Sequence, residues 1–165
     1  MRKLIEHTQE NHLECDNPNC DFVLPAITLY QPWATWIMRE WKLIETRTHA
    51  RFSKLKGERI LIHAGLSTDT SDLTVQNPYL TQKQIWQNPE EVINGFILGS
   101  VYVYDFKRLT AKDSQSALID CSQVPRWGLF LKDIKPFKNP IPAKGSMGIW
   151  YYNLDSKEKV NRKKP

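Results

Sequence analysis

Three charged side chains fall within six residues at Lys42, Glu45 and Arg47, in the segment "WKLIETRTHARF". Lys and Arg donate to phosphate oxygens, and a carboxylate between them could hold Arg47 in place or accept from a base amino group. On a strand Glu45 and Arg47 share a face, and Lys42 at the strand's start is free of strict alternation. The alternative is a surface ion pair, which would contribute little. Spacing alone does not separate these hypotheses.

Aromatic and loop residues supply further groups that could contact a ligand. Trp33 opens a predicted helix and is the best stacking candidate, since base stacking contributes about 1–3 kcal/mol. In "PAKGS", Lys144 and Gly145 could approach a phosphate, or form only a rigid turn beside prolines. His63 lies on an apolar strand, which favours a hydrogen-bonded core residue over an acid-base group. The tryptophans expected in core or rim packing are Trp36, Trp41, Trp127 and Trp150.

The N-terminal segment holds four potential metal ligands, His7, His12, Cys15 and Cys20. Four residues separate the two thiols, whereas structural zinc sites usually pair their cysteines as CxxC. We therefore predict that this segment binds no metal. Cys121 brings the cysteines to three, an odd count that argues against a disulfide framework and for reduced thiols in the cytoplasm.

Length, composition and charge limit the classes of protein to which this sequence can belong. The 165 residues suit one ordinary domain, and the 41% apolar residues include no run of membrane-spanning length. The N-terminus lacks an apolar signal segment, so we expect a cytoplasmic protein, a monomer by default. A formal charge of +5 and a pI near 9.1 favour acidic partners such as RNA or nucleotides. We predict a polar leader over 1–24, a folded domain over 25–154 and a disordered basic tail over 155–165.

The first half of the chain has a β-α-β-β pattern. We predict a strand over 26–30, with Pro25 confined to an edge or a strand start. A short amphipathic helix follows in "QPWATWIMREW", where apolar residues recur every four positions. The segments "KLIETR" and "RILIHA" predict two strands separated by the turn "SKLKGE", and a loop is expected from Gly65 to Pro78.

The second half is mostly strands. Thr81 can cap a helix that ends near Gly95. The alternating "FILGSVYVYDFKRL" predicts a long strand with a bulge or close backbone approach at Gly99. Two more strands, "WGLFLKDIKPF" and "GIWYYNL", flank "KNPIPAKGS", whose prolines predict an irregular loop.

Six segments in order, "ITLYQPWATWIM", "WKLIETR", "ILIHAG", "ILGSVYVYDF", "WGLFLKDIKPF" and "PIPAKGSMGIW", resemble the ASCH family. The resemblance covers residues 26–153. It implies an α+β fold, a PUA-like mixed β-barrel with one or two short helices packed against it.

The signature of that family, G-x-K-x-x-E-x-R, falls on Glu40, Lys42, Glu45 and Arg47, so the glycine position differs. The resemblance implies a cleft beside the first helix that receives nucleic acid or a nucleotide. A glycine at position 40 would end the helix in a left-handed conformation, and Glu40 would adopt it only with about 1 kcal/mol of strain.

Two classes of function remain open. The first is a binding module for RNA or a modified nucleotide, which we favour, with no cofactor. The second is a metal-independent hydrolase. Some ASCH relatives are similar to acetylcytidine amidohydrolases, whose lysine matches Lys42, but Glu45 replaces their threonine and Thr46 would face away. In a ribonuclease, Lys42 and Arg47 could stabilise a phosphorane, with Glu45 as general base.

Overall fold

The computed structural model describes residues 22–69, 77–80 and 92–161. One mixed sheet of seven strands, in the order β2-β5-β4-β3-β1-β6-β7, organises these residues. β1 and β3 are parallel and the other paired strands are antiparallel. The predicted α+β class is confirmed. The elements are β1 (Val23–Gln31), α1 (Trp33–Met38), β2 (Ile44–Arg47), the 3-10 helix η1 (Ala50–Leu55), β3 (Arg59–Thr68), β4 (Phe96–Arg108), the 3-10 helix η2 (Ala111–Asp113), α2 (Ser114–Ala117), β5 (Trp127–Pro142), β6 (Ile149–Asn153) and β7 (Glu158–Val160).

The main core lies between one face of the sheet and the helices α1 and η1. Ile37 of α1 and Leu55 of η1 are buried against strand residues such as Ile27, Ile62 and Leu129. Burying each such side chain contributes about 1.5–3 kcal/mol. This packing fixes α1 and η1 on the sheet, and β2, which lies between them in the chain, carries Glu45 and Arg47 of the signature.

β1 starts earlier than predicted and contains Pro25. Its pairing with β6 begins at Val23, whereas its pairing with β3 begins only at Ala26. Pro25 therefore precedes the parallel ladder, where a residue without an N–H group is tolerated.

The turn after α1 keeps a left-handed residue without glycine. The helix ends at Met38, three residues before the predicted end, and Glu40 follows with φ 58°. The carbonyl of Trp36 accepts the N–H groups of Trp41 at 2.9 Å and Lys42 at 3.2 Å. These bonds compensate a strain of about 1 kcal/mol. The turn geometry expected of glycine is thus preserved.

Gly99 lies at the predicted close approach on β4. A Cβ atom there would lie 2.5 Å from the Met38 sulfur and would also clash with the carbonyl oxygen of Lys135. The register of β4 against β5 shifts between Ile97 and Gly99, so the bulge is confirmed as well.

β5 runs through most of the segment that was predicted to be an irregular loop. It extends to Pro142, which pairs with Phe96 of β4. β2 covers only the first residues of β5, up to Phe130, so the other edge of β5 has no strand neighbour at Pro140 and Pro142 within the described residues. Prolines are accepted on such an edge. The loop prediction was wrong because it took the two prolines to forbid regular strand pairing.

The predicted disordered tail is corrected over residues 155–161, since β7 lies within them. Val160 pairs with Tyr151 of β6. The Asn153 side chain accepts the N–H groups of Asp155 at 2.8 Å and Ser156 at 3.0 Å, and this turn returns the chain onto the sheet.

Other predictions differ in extent. β3 continues to Thr68, through the start of the predicted loop, and η2 and α2 were not foreseen. The predicted leader and the helix capped by Thr81 lie almost wholly outside the described residues. Within those residues, the helices all lack the length and apolar character needed to cross a membrane.

Candidate functional site

A cavity of about 1460 Å³ opens beside β2. α1, β2 and η1 line it from one side, and β1, β3 and the loop between β5 and β6 line it from the other. Five Lys or Arg residues and two Asp or Glu residues border it. The cavity is therefore an electropositive concave surface, which attracts anions.

The signature side chains form one ion-pair chain on the cavity wall. Lys42 is 2% exposed, and its Nζ donates to the carbonyl oxygens of Ile44 at 2.8 Å and Ala117 at 2.7 Å. The same Nζ lies 3.6 Å from Glu45 Oε2, and Glu45 Oε1 lies 3.4 Å from an Nη of Arg47. The structure thus brings together the three residues that the sequence predicted to converge.

The role expected of Lys42 changes in this arrangement. The sequence placed its ammonium over the cleft, whereas the structure directs it to two carbonyls and Glu45. Burial lowers the pKa of Lys42, and the neighbouring Glu45 carboxylate acts in the opposite direction. Lys42 therefore links β2 to α2 through these two hydrogen bonds, and its ammonium offsets the charge of the Glu45 carboxylate.

Arg47 is the member of the chain that faces the cavity. Its side chain is 21% exposed, against 9% for Glu45. The guanidinium lies 4.4 Å from the centre of the Phe52 ring. The ion pair with Glu45 and the contact with Phe52 together hold the guanidinium in one orientation.

Trp33 also borders the cavity, at the start of α1. Its indole N–H donates to Asp69 at 3.3 Å, and its ring meets Trp36 edge to face at 5.1 Å. The Lys42 ammonium lies 5.3 Å from the ring centre. These contacts fix the indole plane of a half-buried ring, as a stacking surface requires.

The opposite wall carries a neutral hydrogen-bond network around His63. The Trp150 indole N–H donates to Thr28 Oγ1 at 3.1 Å, and that hydroxyl lies 3.2 Å from His63 Nδ1. His63 Nε2 lies 2.8 Å from the carbonyl oxygen of Ala143. One tautomer satisfies all of these bonds, with the hydroxyl donating to Nδ1 and Nε2–H donating to the carbonyl. His63 is 2% exposed, which confirms the predicted core role.

Burial lowers the pKa of His63, although the bond to Ala143 opposes this. Gly145 packs directly on the network. A Cβ atom at this position would lie 2.5 Å from the His63 ring and 2.6 Å from Thr28 Oγ1. The structure thus explains this glycine by close packing. Lys144 is exposed beside it at the cavity rim.

The sequence did not single out Tyr30, His49, Arg51 and Lys54, whose aromatic or basic side chains also line the cavity. The alternation that places Glu45 and Arg47 on one face continues to position 49, and this signal could have identified His49. Arg51 and Lys54 could not be assigned in this way, because they lie in η1, and the sequence predicted only a turn over 53–58 in this region.

The four tryptophans predicted to pack in the core or rim do so, and Trp41 packs against the cluster that contains Trp36. Trp36 and Trp150 are buried, and the Trp127 ring stacks on Phe106 at 5.3 Å. Cys121 is a buried free thiol whose pKa is raised by burial. In the part of the chain that the structure describes, no three His, Cys, Asp or Glu residues cluster as metal ligands. His7, His12, Cys15 and Cys20 lie outside those residues.

Comparison with known proteins identifies the architecture. No family model matches the sequence, and no curated protein matches it. Three similar solved structures are all ASCH from Zymomonas mobilis. A serine-to-alanine variant is 14% identical, with a TM-score of 0.51 over 82% of this chain and 92% of that chain. Another ASCH structure is 16% identical, with a TM-score of 0.45 over 72% of both chains. A tyrosine-to-phenylalanine variant is 12% identical, with a TM-score of 0.47 over 79% of this chain and 91% of that chain.

At these identities the likeness concerns the fold alone. The chain has an ASCH-like fold, as the order of its six motifs predicted.

Proposed function

We propose that this protein binds RNA or a nucleotide in the cleft between α1 and the Lys-x-x-Glu-x-Arg strand β2. The proposal rests on one observation. Arg47 is held by Glu45 and Phe52 on the wall of a large cavity, with 21% of its side chain exposed. A fixed guanidinium loses little side-chain freedom when it binds a phosphate in a bidentate manner.

The surrounding residues support the same class of ligand. Trp33 and the exposed Tyr30 supply aromatic surface for bases. Lys144 adds a positive charge at the rim, where the amide of Gly145 is a further candidate contact for phosphate. Glu45 is engaged with Lys42 and Arg47, so its charge is offset for an incoming polyanion. A cytoplasmic monomer would meet such ligands in abundance.

Arg47→Ala tests the proposal by fluorescence anisotropy with a mixed-sequence labelled oligoribonucleotide. Hydrogen bonds to charged groups contribute about 1.5–3 kcal/mol, so we expect affinity to fall by about 10- to 100-fold. Arg108→Ala is the matched control, because Arg108 is exposed and lies outside the cavity lining. A thermal melt checks that both variants fold. Equal affinity of wild type and folded Arg47→Ala would remove the cleft from RNA binding.

Hydrolysis is the second candidate function, and one observation favours it. A lysine with a lowered pKa lies beside a carboxylate at a cavity wall, and such groups cluster in active sites. In this mechanism Arg47 stabilises the developing charge, Glu45 is the general base, and the buried Lys42 ammonium positions the Glu45 carboxylate. Incubation with oligoribonucleotides and with N4-acetylcytidine, in a chelator, tests it. Intact substrates after prolonged incubation would leave binding as the function.

A further inference from the structure

η1 brings a second set of donors to the β2 side of the cavity. β2 ends at Arg47, and η1 begins three residues later at Ala50. This short connection places His49, Arg51 and Lys54 on the cavity lining that Arg47 also borders. We call Arg47, His49, Arg51 and Lys54 the η1 wall. None of its members except Arg47 belongs to the Lys-x-x-Glu-x-Arg pattern.

Within the described residues, two cations of the η1 wall have no counter-charge. Among the described residues no carboxylate pairs with Arg51 or Lys54, whereas Lys42 and Arg47 share Glu45. The polar contact of Arg51 is a hydrogen bond of 2.9 Å to His49 Nε2. Two positive charges thus border a concave surface without an internal partner, an arrangement that favours a bound anion.

The Phe52 ring packs against two side chains of the η1 wall, His49 and Arg47. The His49 ring stacks parallel on Phe52, with 5.6 Å between ring centres and 6° between planes. The Arg47 guanidinium packs on the same ring at 4.4 Å. Because Arg51 donates to His49 Nε2, the imidazole is the neutral tautomer with its proton on Nδ1. Within the described residues, His49 Nδ1 and Arg47 Nε are both buried without a hydrogen-bond partner, so the η1 wall keeps two unsatisfied donors.

We propose that the η1 wall is a subsite for a phosphate monoester, so that the cleft prefers a nucleotide or RNA end with a terminal phosphate. This inference rests on the proposed nucleotide-binding function. A monoester carries close to two negative charges at pH 7, whereas an internal phosphodiester carries one. The two unpaired charges of Arg51 and Lys54 match the monoester, and Arg47 supplies an oriented fork beside them.

The test compares ligands that differ only in the phosphate. Quenching of tryptophan fluorescence is followed with adenosine, adenosine 5′-monophosphate, and one short oligoribonucleotide with and without a 5′-phosphate. We expect the monophosphate to bind at least about tenfold more tightly than the nucleoside, and the 5′-phosphate to strengthen oligonucleotide binding by a similar factor. Binding of adenosine 5′-monophosphate without any effect of the oligonucleotide phosphate would assign the subsite to free nucleotides.

Two substitutions test whether the preference for the phosphorylated ligand comes from Arg51 and Lys54. Arg51→Gln and Lys54→Gln each remove one charge from an exposed side chain, and we expect each to abolish most of the preference for the phosphorylated ligand. Lys56→Gln is the matched control, because Lys56 pairs with Asp105 at 2.7 Å and lies outside the cavity.

The outcomes separate this inference from the proposed function. Equal binding of phosphorylated and unphosphorylated ligands, with Arg47→Ala still weakening the oligonucleotide, would overturn the subsite and leave the RNA-binding cleft. A phosphate preference that survives both glutamine substitutions would also overturn it. Absence of binding by the wild-type protein to every ligand would overturn both proposals.

Discussion

The two walls of the cavity satisfy their buried polar side chains in different ways. On the β2 side, Lys42, Glu45 and Arg47 join two positive charges to one negative charge. On the opposite side, Thr28 and His63 form a neutral chain in which every bond has a donor and an acceptor. The neutral wall is complete without a ligand, whereas the charged wall keeps a positive excess. For the proposed function, this contrast favours phosphate contacts on the β2 side, where the positive excess lies.

The largest expected effect is a loss of folding stability on substitution of Lys42, the most buried residue of the charged wall. Lys42→Met leaves Glu45 with Arg47 alone and the carbonyls of Ile44 and Ala117 without their donor. Removing one partner of a buried ion pair costs about 3–5 kcal/mol, and we expect that loss in urea unfolding. Lys56→Met, at a more exposed ion pair, should cost less than about 1 kcal/mol. Similar losses in the two variants would show that burial does not matter here.

Overpacking the neutral wall should have an intermediate effect. Gly145→Ala places a methyl group 2.5 Å from the His63 ring, which must move out of its hydrogen bonds. Strained insertions into packed sites cost about 1–3 kcal/mol, so the melting temperature should fall. Lys144→Ala, at the exposed neighbouring residue, is the control. An unchanged melting temperature in Gly145→Ala would mean that the loop yields without cost.

The pH dependence of folding stability further distinguishes the two walls, because His63 belongs to the neutral wall. The pKa of His63 is lowered in the folded state, so the unfolded chain binds its proton first as the pH falls. Stability is therefore complete above about pH 6.5 and is lost as the pH falls from there through the folded pKa, by up to about 1.4 kcal/mol per pH unit. His63→Gln should remove this acid-side slope in urea titrations at pH 5 to 7.5. A slope unchanged by the substitution would assign it to other groups.

The smallest effect concerns the salt dependence of RNA binding. If two to four phosphates are neutralised, log affinity should fall against log salt with a slope of about −1.5 to −3 on a single strand. Lys144→Ala should make this slope shallower by about 0.7, the contribution of one phosphate contact. Anisotropy titrations between 50 and 300 mM salt measure it. An affinity independent of salt would favour a neutral nucleoside pocket in place of a polyanion site.

Sequence reasoning succeeded where a pattern was local. Strand alternation placed Glu45 and Arg47 on one face, and they form an ion pair at 3.4 Å. Thr46, which was expected to face away, also borders the cavity, so that expectation was wrong. Sequence reasoning failed for Lys42, because one acceptor that buries its ammonium is the carbonyl of Ala117, 75 residues away. No spacing rule could supply that contact.

The same limit applies to the extent of the elements. Pro140 and Pro142 predict a loop unless it is known that one edge of β5 is unpaired there. Basic composition predicts a disordered tail unless the turn at Asn153 is known to direct Val160 back to β6. These outcomes depend on which strands become neighbours, and composition does not report that.

The position of β1 in the sheet has a consequence for how the chain is made. β1 pairs with β3 on one side and with β6 on the other, and β6 begins only at Ile149. At about 5–20 residues per second, the ribosome needs on the order of ten seconds to synthesise the intervening chain. Throughout that interval the β6 side of β1, with buried Ala26 and Ile27, lacks its strand neighbour. We therefore expect nascent chains stalled before β6 to be bound by chaperones or to aggregate through this edge.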